Sequence, residues 1–279
     1  MGVDDVFRLK VLVDNNTLID RYFKAEPGLS FWIESDGKKI LFDTGYSDIF
    51  MENAQVMGID VNSADVIVLS HGHNDHTWGL NHLLQHFNRT MSVKRHEMIA
   101  HPGAFERKRW GSQEIGMILK EDVMEEYFEI SKYSSPVRVT EKLLWLGEIP
   151  REGWNIKPIG TTLVNDHWID DYCLDDSALA YEAKDGLIII TGCSHSGICN
   201  IINHARKLTG VERILDVVGG FHLQKVERDL MDKTVKELSR IAPKVMHPCH
   251  CTDLKAKIFL AESFNIEEVG VGLKLEYNN

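Results

Sequence analysis

The sequence predicts an α/β (α+β) fold: two αβ halves packed sheet against sheet, with helices outside, in one domain spanning 1–279. Three observations predict it. Apolar runs of strand length, alternating or continuous, recur along the chain. Apolar stripes at helical spacing fall between them. The order of strands with hairpins, helix, strand, helix occurs twice, without a close internal sequence repeat.

Phe7, Leu9, Val11 and Val13 alternate with mostly polar residues and read as the first strand. Residues 29–34 and 40–42 form a hairpin across Asp36-Gly37, a pair suited to a tight turn. Residues 47–57 suit a short helix, and 64–69 a buried strand. Leu80, Leu83, Leu84 and Phe87 make the core-facing stripe of the next helix, with His82 and His86 on its solvated side. The basic run Arg107-Lys108-Arg109 and the acidic stretch 121–129 suggest an inserted helical segment or lid at 103–133. Strands resume at 137–146, and a hairpin at 177–191 turns on Asp185-Gly186. A helix (198–208), a strand (214–218), a long helix with Val226, Leu230, Val235, Leu238 and Ile241 on one side, and a strand ending at His247 follow. A helix near 253–264 and a strand at 269–276 close the pattern.

A chain of 279 residues that is 43% hydrophobic has a core large enough to dispense with disulfides. The formal net charge of -11 disfavours general nucleic-acid binding, because an acidic surface repels phosphate backbones. No apolar run approaches the ~20 residues that cross a bilayer. Met1-Gly2-Val3-Asp4-Asp5 carries no leader signature, and the five cysteines form no regular framework. A cytoplasmic enzyme with a small-molecule substrate and no membrane partner is expected.

The chemistry concentrates in Ser70-His71-Gly72-His73-Asn74-Asp75-His76, between a buried strand and a helix. His71 and His73, two apart on extended chain, face the same way, and Asp75 and His76 open the helix toward a second position. Imidazole with carboxylate suits Zn, Fe or Mn. Further ligands must come from downstream turns. His195 in Ser194-His195-Ser196-Gly197 and His250 in His247-Pro248-Cys249-His250-Cys251 are the candidates. His222 is read as a ligand or a substrate contact, His247 as structural, and each cysteine by default as a small buried hydrophobe.

His-x-His-x-Asp-His after an apolar strand resembles the signature of the metallo-β-lactamase superfamily. Phe42-Asp43-Thr44-Gly45, Ala64-Asp65 and Ser70 also fit that family's pattern, and the resemblance extends over almost the whole chain. The resemblance implies a four-layer αββα sandwich binding one or two divalent ions, zinc above all. His71, His73, Asp75, His76, His195 and His250 would be ligands, and Asp43, Ser70 and Cys193 would support them from behind. Gly147-Glu148-Ile149-Pro150-Arg151, Gly192-Cys193-Ser194-His195-Ser196-Gly197, Gly219-Gly220-Phe221-His222-Leu223 and His250-Cys251-Thr252 resemble the branch of dihydropterin-ribofuranosylaminobenzene-phosphate synthases and related metal-dependent hydrolases. Two departures stand out. The turn that usually carries a metal-bridging Asp reads Thr191-Gly192-Cys193, and Asp175 and Asp176 stand where a His is expected. Asp175, Asp176, Cys193 or His167 are candidates for the missing positions, with His167 preferred as a surface residue.

Two reactions follow from the resemblance. One is transfer at a pterin methylene, with the metal acting on a leaving diphosphate. The other is hydrolysis of an ester, amide or phosphoester by metal-activated water. Asp75 and His222 are the expected catalytic residues, and His101, Arg107 and Lys108 would grip a substrate phosphate.

Overall fold

The computed structural model describes residues 6–91, 94–154 and 156–278. Residues 1–5, on which the leader expectation rests, lie outside them.

The first half opens with β1 (Val6–Val13), whose alternation buries Phe7, Leu9 and Val11. β2 (Ser30–Ser35) and β3 (Lys38–Phe42) form the expected hairpin, and Asp36 and Gly37 both take positive φ at its turn. After α1 (Ile49–Val56), β4 (Val66–Val68) runs parallel to β3 with all three residues buried. α2 (Asn74–Thr77) leads into α3 (Gly79–Thr90), which buries Leu80, Leu83, Leu84 and Phe87 as its stripe demands. β5 (His96–Ala100), β6 (Lys108–Trp110), β7 (Gln113–Glu114), α4 (Glu121–Met124) and β8 (Phe128–Lys132) follow.

The second half contains β9 (Val137–Arg138), β10 (Leu143–Trp145), β11 (Thr161–Val164) and β12 (His167–Asp170). Next come β13 (Ala178–Ala183), β14 (Gly186–Thr191), α5 (Ile198–Thr209) and β15 (Ile214–Gly220). α6 (Arg228–Ile241), β16 (Val245–Cys249), α7 (Leu254–Ala261) and β17 (Lys274–Asn278) complete it.

The sheet order of the first layer is β17-β1-β2-β3-β4-β5-β8, and that of the second is β16-β15-β14-β13-β10-β9. Their inner faces meet in one apolar cluster, in which Phe7, Val11, Phe31 and Ile33 face Trp145, Tyr181, Ile188 and Ile190. The Phe7 and Tyr181 rings lie 4.3 Å apart. The outer face of the first sheet packs on α1 and α3, and that of the second on α5, α6 and α7. β14 shows why its run is continuous: Leu187 and Ile189 face the helices, while Ile188 and Ile190 face the other sheet. The result is the αββα sandwich. No helix among the described residues is long and apolar enough to cross a membrane.

Three local expectations need correction. Residues 103–133 are not a helical pair. They hold a single-turn 3-10 segment (Pro102–Phe105), β6, β7, the one-turn α4 and the start of β8. Gly111, at φ +59°, turns β6 back on β7, so that Arg109 faces Glu114 across a ladder. β6 and β7 join β11 and β12 in a third sheet of order β12-β11-β6-β7. In α6 the buried stripe is Met231, Thr234, Leu238 and Ile241; Leu230 is 40% exposed and Val226 precedes the helix. The last strand begins at Lys274, five residues after the expected start at 269.

Candidate metal centre

The loops after β4, β14, β15 and β16 meet at one end of the sandwich. Side-by-side parallel strands deliver their C-terminal loops to a common edge. β3 and β4 run parallel, as do β14, β15 and β16.

After β4 the chain stays extended, so His71 and His73 project together. Gly72 between them must lack a side chain: a Cβ there would sit 2.3 Å from the Ala104 carbonyl oxygen. His71 Nε2 lies 3.0 Å from His73 Nδ1, and His195 Nε2 lies 3.1 Å from His73 Nδ1 and 3.2 Å from His71 Nε2. All three rings are buried. Burial pushes His71 and His195 well below the usual imidazole range and His73 to about 4, so their neutral, lone-pair forms prevail near neutrality. One ring N–H can serve only one neighbour, so three mutually facing ring nitrogens do not satisfy one another. A cation with Zn–N bonds of ~2.0–2.1 Å fits between nitrogens so spaced.

A second cluster adjoins the first. His76 Nε2, His250 Nε2 and Cys193 Sγ lie 3.2–3.3 Å from one another. Asp75 reaches in with Oδ2 3.4 Å from His250 Nε2 and Oδ1 3.8 Å from His76 Nε2. Burial works against the Asp75 charge, but His76 and His250 outweigh it and hold the carboxyl well below its usual range. The donor set is therefore five imidazoles, a carboxylate and a thiol in two adjoining groups, which suits one or two divalent ions.

Each group is braced from behind, as ligand imidazoles require. Asp43 accepts from Ser70 N (2.8 Å) and Ser70 Oγ (2.6 Å), and its Oδ2 lies 2.7 Å from His76 Nδ1. Ser70 Oγ is 2.9 Å from His71 Nδ1. Gly192 lets the β14 loop close on this pair, since a Cβ there would fall 2.1 Å from Ser70 Oγ. Asp14 accepts from His250 N at 2.8 Å, and Asn15 Oδ1 is 3.1 Å from His250 Nδ1. Asp43, Ser194, His222 and His250 all adopt left-handed φ between 51° and 63°, backbone strain held in place around the cluster.

Asp43 touches His76, and Ser70 touches His71, on the side away from the facing nitrogens. Of the two places the sequence offered Cys193, behind the clustered side chains or at a vacant position among them, its Sγ occupies the second, facing His76 and His250 Nε2. Asp175 and Asp176 are used elsewhere. Asp175 accepts from Gly72 N (2.8 Å) and Lys108 Nζ (3.0 Å), and Asp176 from Ser196 N and Oγ. Lys108, expected to hold a substrate phosphate, is 2% exposed and ion-paired at 3.0 Å to both Asp171 and Asp175. A buried cation between two buried carboxylates serves structure, because freeing it would leave both uncompensated. Arg107 pairs with Glu114 at the surface. His101 is nearly buried, with Nδ1 accepting from Gly103 N and Nε2 3.7 Å from Glu148. His247 Nδ1 bonds to Asp216, and His167 is exposed on β12.

Sequence reasoning missed Asp14, Asn15, Asp171 and Cys251. Cys251 accepts from His222 N (3.2 Å) and donates to the Cys193 carbonyl (3.3 Å). Its place next to His250 was the available signal.

His195 and His222, with ring centroids 4.3 Å apart, open onto a cleft of ≈ 560 Å³. Trp154, Ile156, Ile159, Tyr172 and Phe221 give it apolar walls, and Lys157, Lys225 and Lys233 bring positive charge.

The sequence model of the Metallo-beta-lactamase superfamily matches residues 24–199. The 7,8-dihydropterin-6-methyl-4-(beta-D-ribofuranosyl)-aminobenzene-5'-phosphate synthase of Methanocaldococcus jannaschii is 32% identical over 280 residues, covering 95% of this chain and 94% of that one. An uncharacterized protein of the same organism is 31% identical over 268 residues, 95% of this chain and 98% of its own. The crystal structure of Tm1679, described as a metal-dependent hydrolase of the beta-lactamase superfamily, superposes with a TM-score of 0.85 at 30% identity, covering 98% of this chain and all of that one.

Proposed function

Because the chain belongs to the metallo-β-lactamase superfamily, we propose that this metal-dependent enzyme transfers a pterin-like methylene group from a diphosphate ester to a phosphorylated aromatic acceptor. The cleft carries this reading. The aromatic faces of Trp154, Tyr172 and Phe221 suit planar rings, and Lys157, Lys225 and Lys233, which outnumber Glu227 and Asp229 in the lining, suit phosphate. The relative from M. jannaschii is named for a product that joins a dihydropterin to an aminobenzene ribosyl phosphate.

His71, His73 and His195 would hold one divalent ion, and Asp75, His76 and His250 a second, with zinc the preferred metal. When bound, such ions supply Lewis-acid stabilisation of charge developing on phosphate oxygens. In the reaction a C–O bond to diphosphate breaks, a bond from the acceptor's aryl carbon or amine nitrogen to the methylene forms, and the acceptor loses a proton. Asp75, kept ionised and with its side chain 30% exposed, is placed to orient the reacting groups. His222 lines the cleft, and its Nδ1 has no hydrogen-bond partner among the described residues. Burial opposes its positive charge, but Cys251 and Asp176 raise its pKa, so the ring is suited to give up a proton to the leaving oxygen. The three lysines position phosphate, and the aromatic walls exclude water.

Hydrolysis of an ester or phosphoester is the second reading, favoured by the description of Tm1679. One assay separates them. The zinc-loaded protein is given a dihydropterin-methyl diphosphate with and without an aminobenzene ribosyl phosphate. Transfer predicts a joined product and diphosphate release that depends on the acceptor. Release at the same rate without acceptor, yielding the free alcohol, would select the hydrolase.

A further inference from the structure

The outer layer of the second half holds a cavity that the metal centre does not use. It is a groove of ≈ 450 Å³ between α5 and α6, bordered by Pro150 and Trp154. α5 presents Asn200, Asn203, His204 and Lys207 to it, and α6 presents Lys233, Lys236, Glu237 and Arg240. Each set is spaced i, i+3, i+4, i+7, so each is one continuous face of its helix. Four cations meet two carboxylates there, in a chain whose formal net charge is -11. Glu237 is already paired with Arg240, and Lys207 and Lys236 have no hydrogen bond or ion pair among the described residues.

His204 adds a directional group. Its Nε2 lies 3.1 Å from the Leu146 carbonyl oxygen, which can only accept, so Nε2 carries the proton. Burial lowers its pKa more than the Leu146 bond raises it, so the ring is neutral near pH 7 and Nδ1 is an acceptor. That Nδ1 has no partner among the described residues. Trp154 and Lys233 line both this groove and the cleft beside His195 and His222. Lys233 Nζ lies 4.3 Å from the centre of the Trp154 ring and donates to the Gly153 carbonyl.

We propose that the α5–α6 groove is a second ligand site, for a small phosphorylated ring compound, and that its occupant weakens phosphate binding in the catalytic cleft by drawing on Lys233. The phosphate meets Lys207, Lys236 and Arg240, the ring lies along Trp154, and a ring N–H donates to His204 Nδ1. One ammonium cannot serve two phosphates fully, so occupancy raises KM and leaves kcat alone. Lys157 and Lys225 stay in the cleft, so the effect saturates. Linkage requires substrate to weaken the second ligand by the same factor. The site rests on the groove alone, and the coupling rests on the phosphorylated substrate proposed above.

The test uses the zinc-loaded full chain, with guanosine 5'-monophosphate as probe and inorganic phosphate beside it. Equilibrium dialysis should find a nucleotide site in wild type that is roughly 100-fold weaker in Lys207→Glu/Lys236→Glu. Both residues are exposed and line the groove but not the cleft, so the variant should keep the wild-type unfolding midpoint and uninhibited turnover. In wild type the nucleotide should raise KM about 10-fold and then level off, an effect absent from the variant. Equal nucleotide binding by the two proteins, or none by either, overturns the groove site. Inorganic phosphate bound as tightly as the nucleotide overturns the ring-bearing class. Inhibition that grows without limit and persists in the variant overturns the coupling. A protein that forms no joined product loses the transfer reading, while dialysis still decides the groove.

Discussion

The two sides of the metal centre are built differently. The first half of the chain supplies His71, His73, Asp75 and His76 from one stretch of six residues, fixed by a strand end, a glycine and a helix start. The second half supplies Cys193, His195, His222 and His250 from three loops, brought together only because β14, β15 and β16 are parallel neighbours. One side is encoded locally, and the other exists only in the folded sheet. The local side should therefore resist perturbation of the sheet, and the assembled side should not.

The largest expected effect tests whether the local side carries the chemistry. His71→Ala should remove one ion per chain and lower turnover by about 10³-fold, the several kcal/mol a metal contributes. Metal analysis beside steady-state kinetics checks it. Lys108→Met should come next. It leaves Asp171 and Asp175 without their buried cation, and loss of one partner of such a group costs about 3–5 kcal/mol. Thermal unfolding of the metal-free protein measures this cost, and an unchanged midpoint would show that the loop needs no brace.

A paired experiment sharpens the comparison. Asp43→Ala removes the support of Ser70 and His76, and Asp14→Ala that of His250. Each should weaken metal binding by roughly 10–100-fold. Asp14→Ala should weaken only one of two binding steps in calorimetric titration. Equal loss in both steps would mean the sides are not separable.

The pH dependence is smaller and has a definite sign. Burial opposes charge on His250, but Asp75 and Cys251 raise its pKa to about 9. A metal must displace that proton, so apparent affinity should rise about tenfold per pH unit from 7 to 9 and flatten above. In the metal-free protein the same shift gives stability that is complete below about 6.5 and is lost as pH climbs through about 9. His73, depressed by burial to about 4, acts oppositely: stability falls as pH drops from about 6.5 toward 4. Competition with a chromogenic chelator across pH gives the affinity slope. The smallest effect is Arg107→Ala. Its exposed pair with Glu114 contributes under about 1 kcal/mol, so the unfolding midpoint should hardly move.

Legibility in the sequence followed the same division. The His71–His76 stretch, the Asp36-Gly37 hairpin and the α3 stripe were readable because each is a short-range pattern. The β11–β12 hairpin was not, because neither strand buries a residue and no apolar face alternates along it. Its turn did carry a signal, since Asn165 and Asp166 both take left-handed φ, which those residues tolerate best. The charges of 103–133 suggested helix because sequence cannot show that Arg109 and Glu114 face each other across a ladder. Cys193 read either as a supporting residue or as a stand-in at the missing position, and Cys251 as filler. Their positions depend on β15 and β16 lying beside β14, which no local pattern states.

Asp14 holds the His250 amide across 236 positions of sequence. During synthesis the growing chain displays the three clustered imidazoles of His71, His73 and His76 well before His250 is added. At ordinary rates of translation that interval lasts on the order of 10–35 s. An ion caught by the nascent imidazoles is held without the sheet, the thiol or the distal brace, and so exchanges freely. The centre can therefore close around an ion only once His250 has been added and has met Asp14.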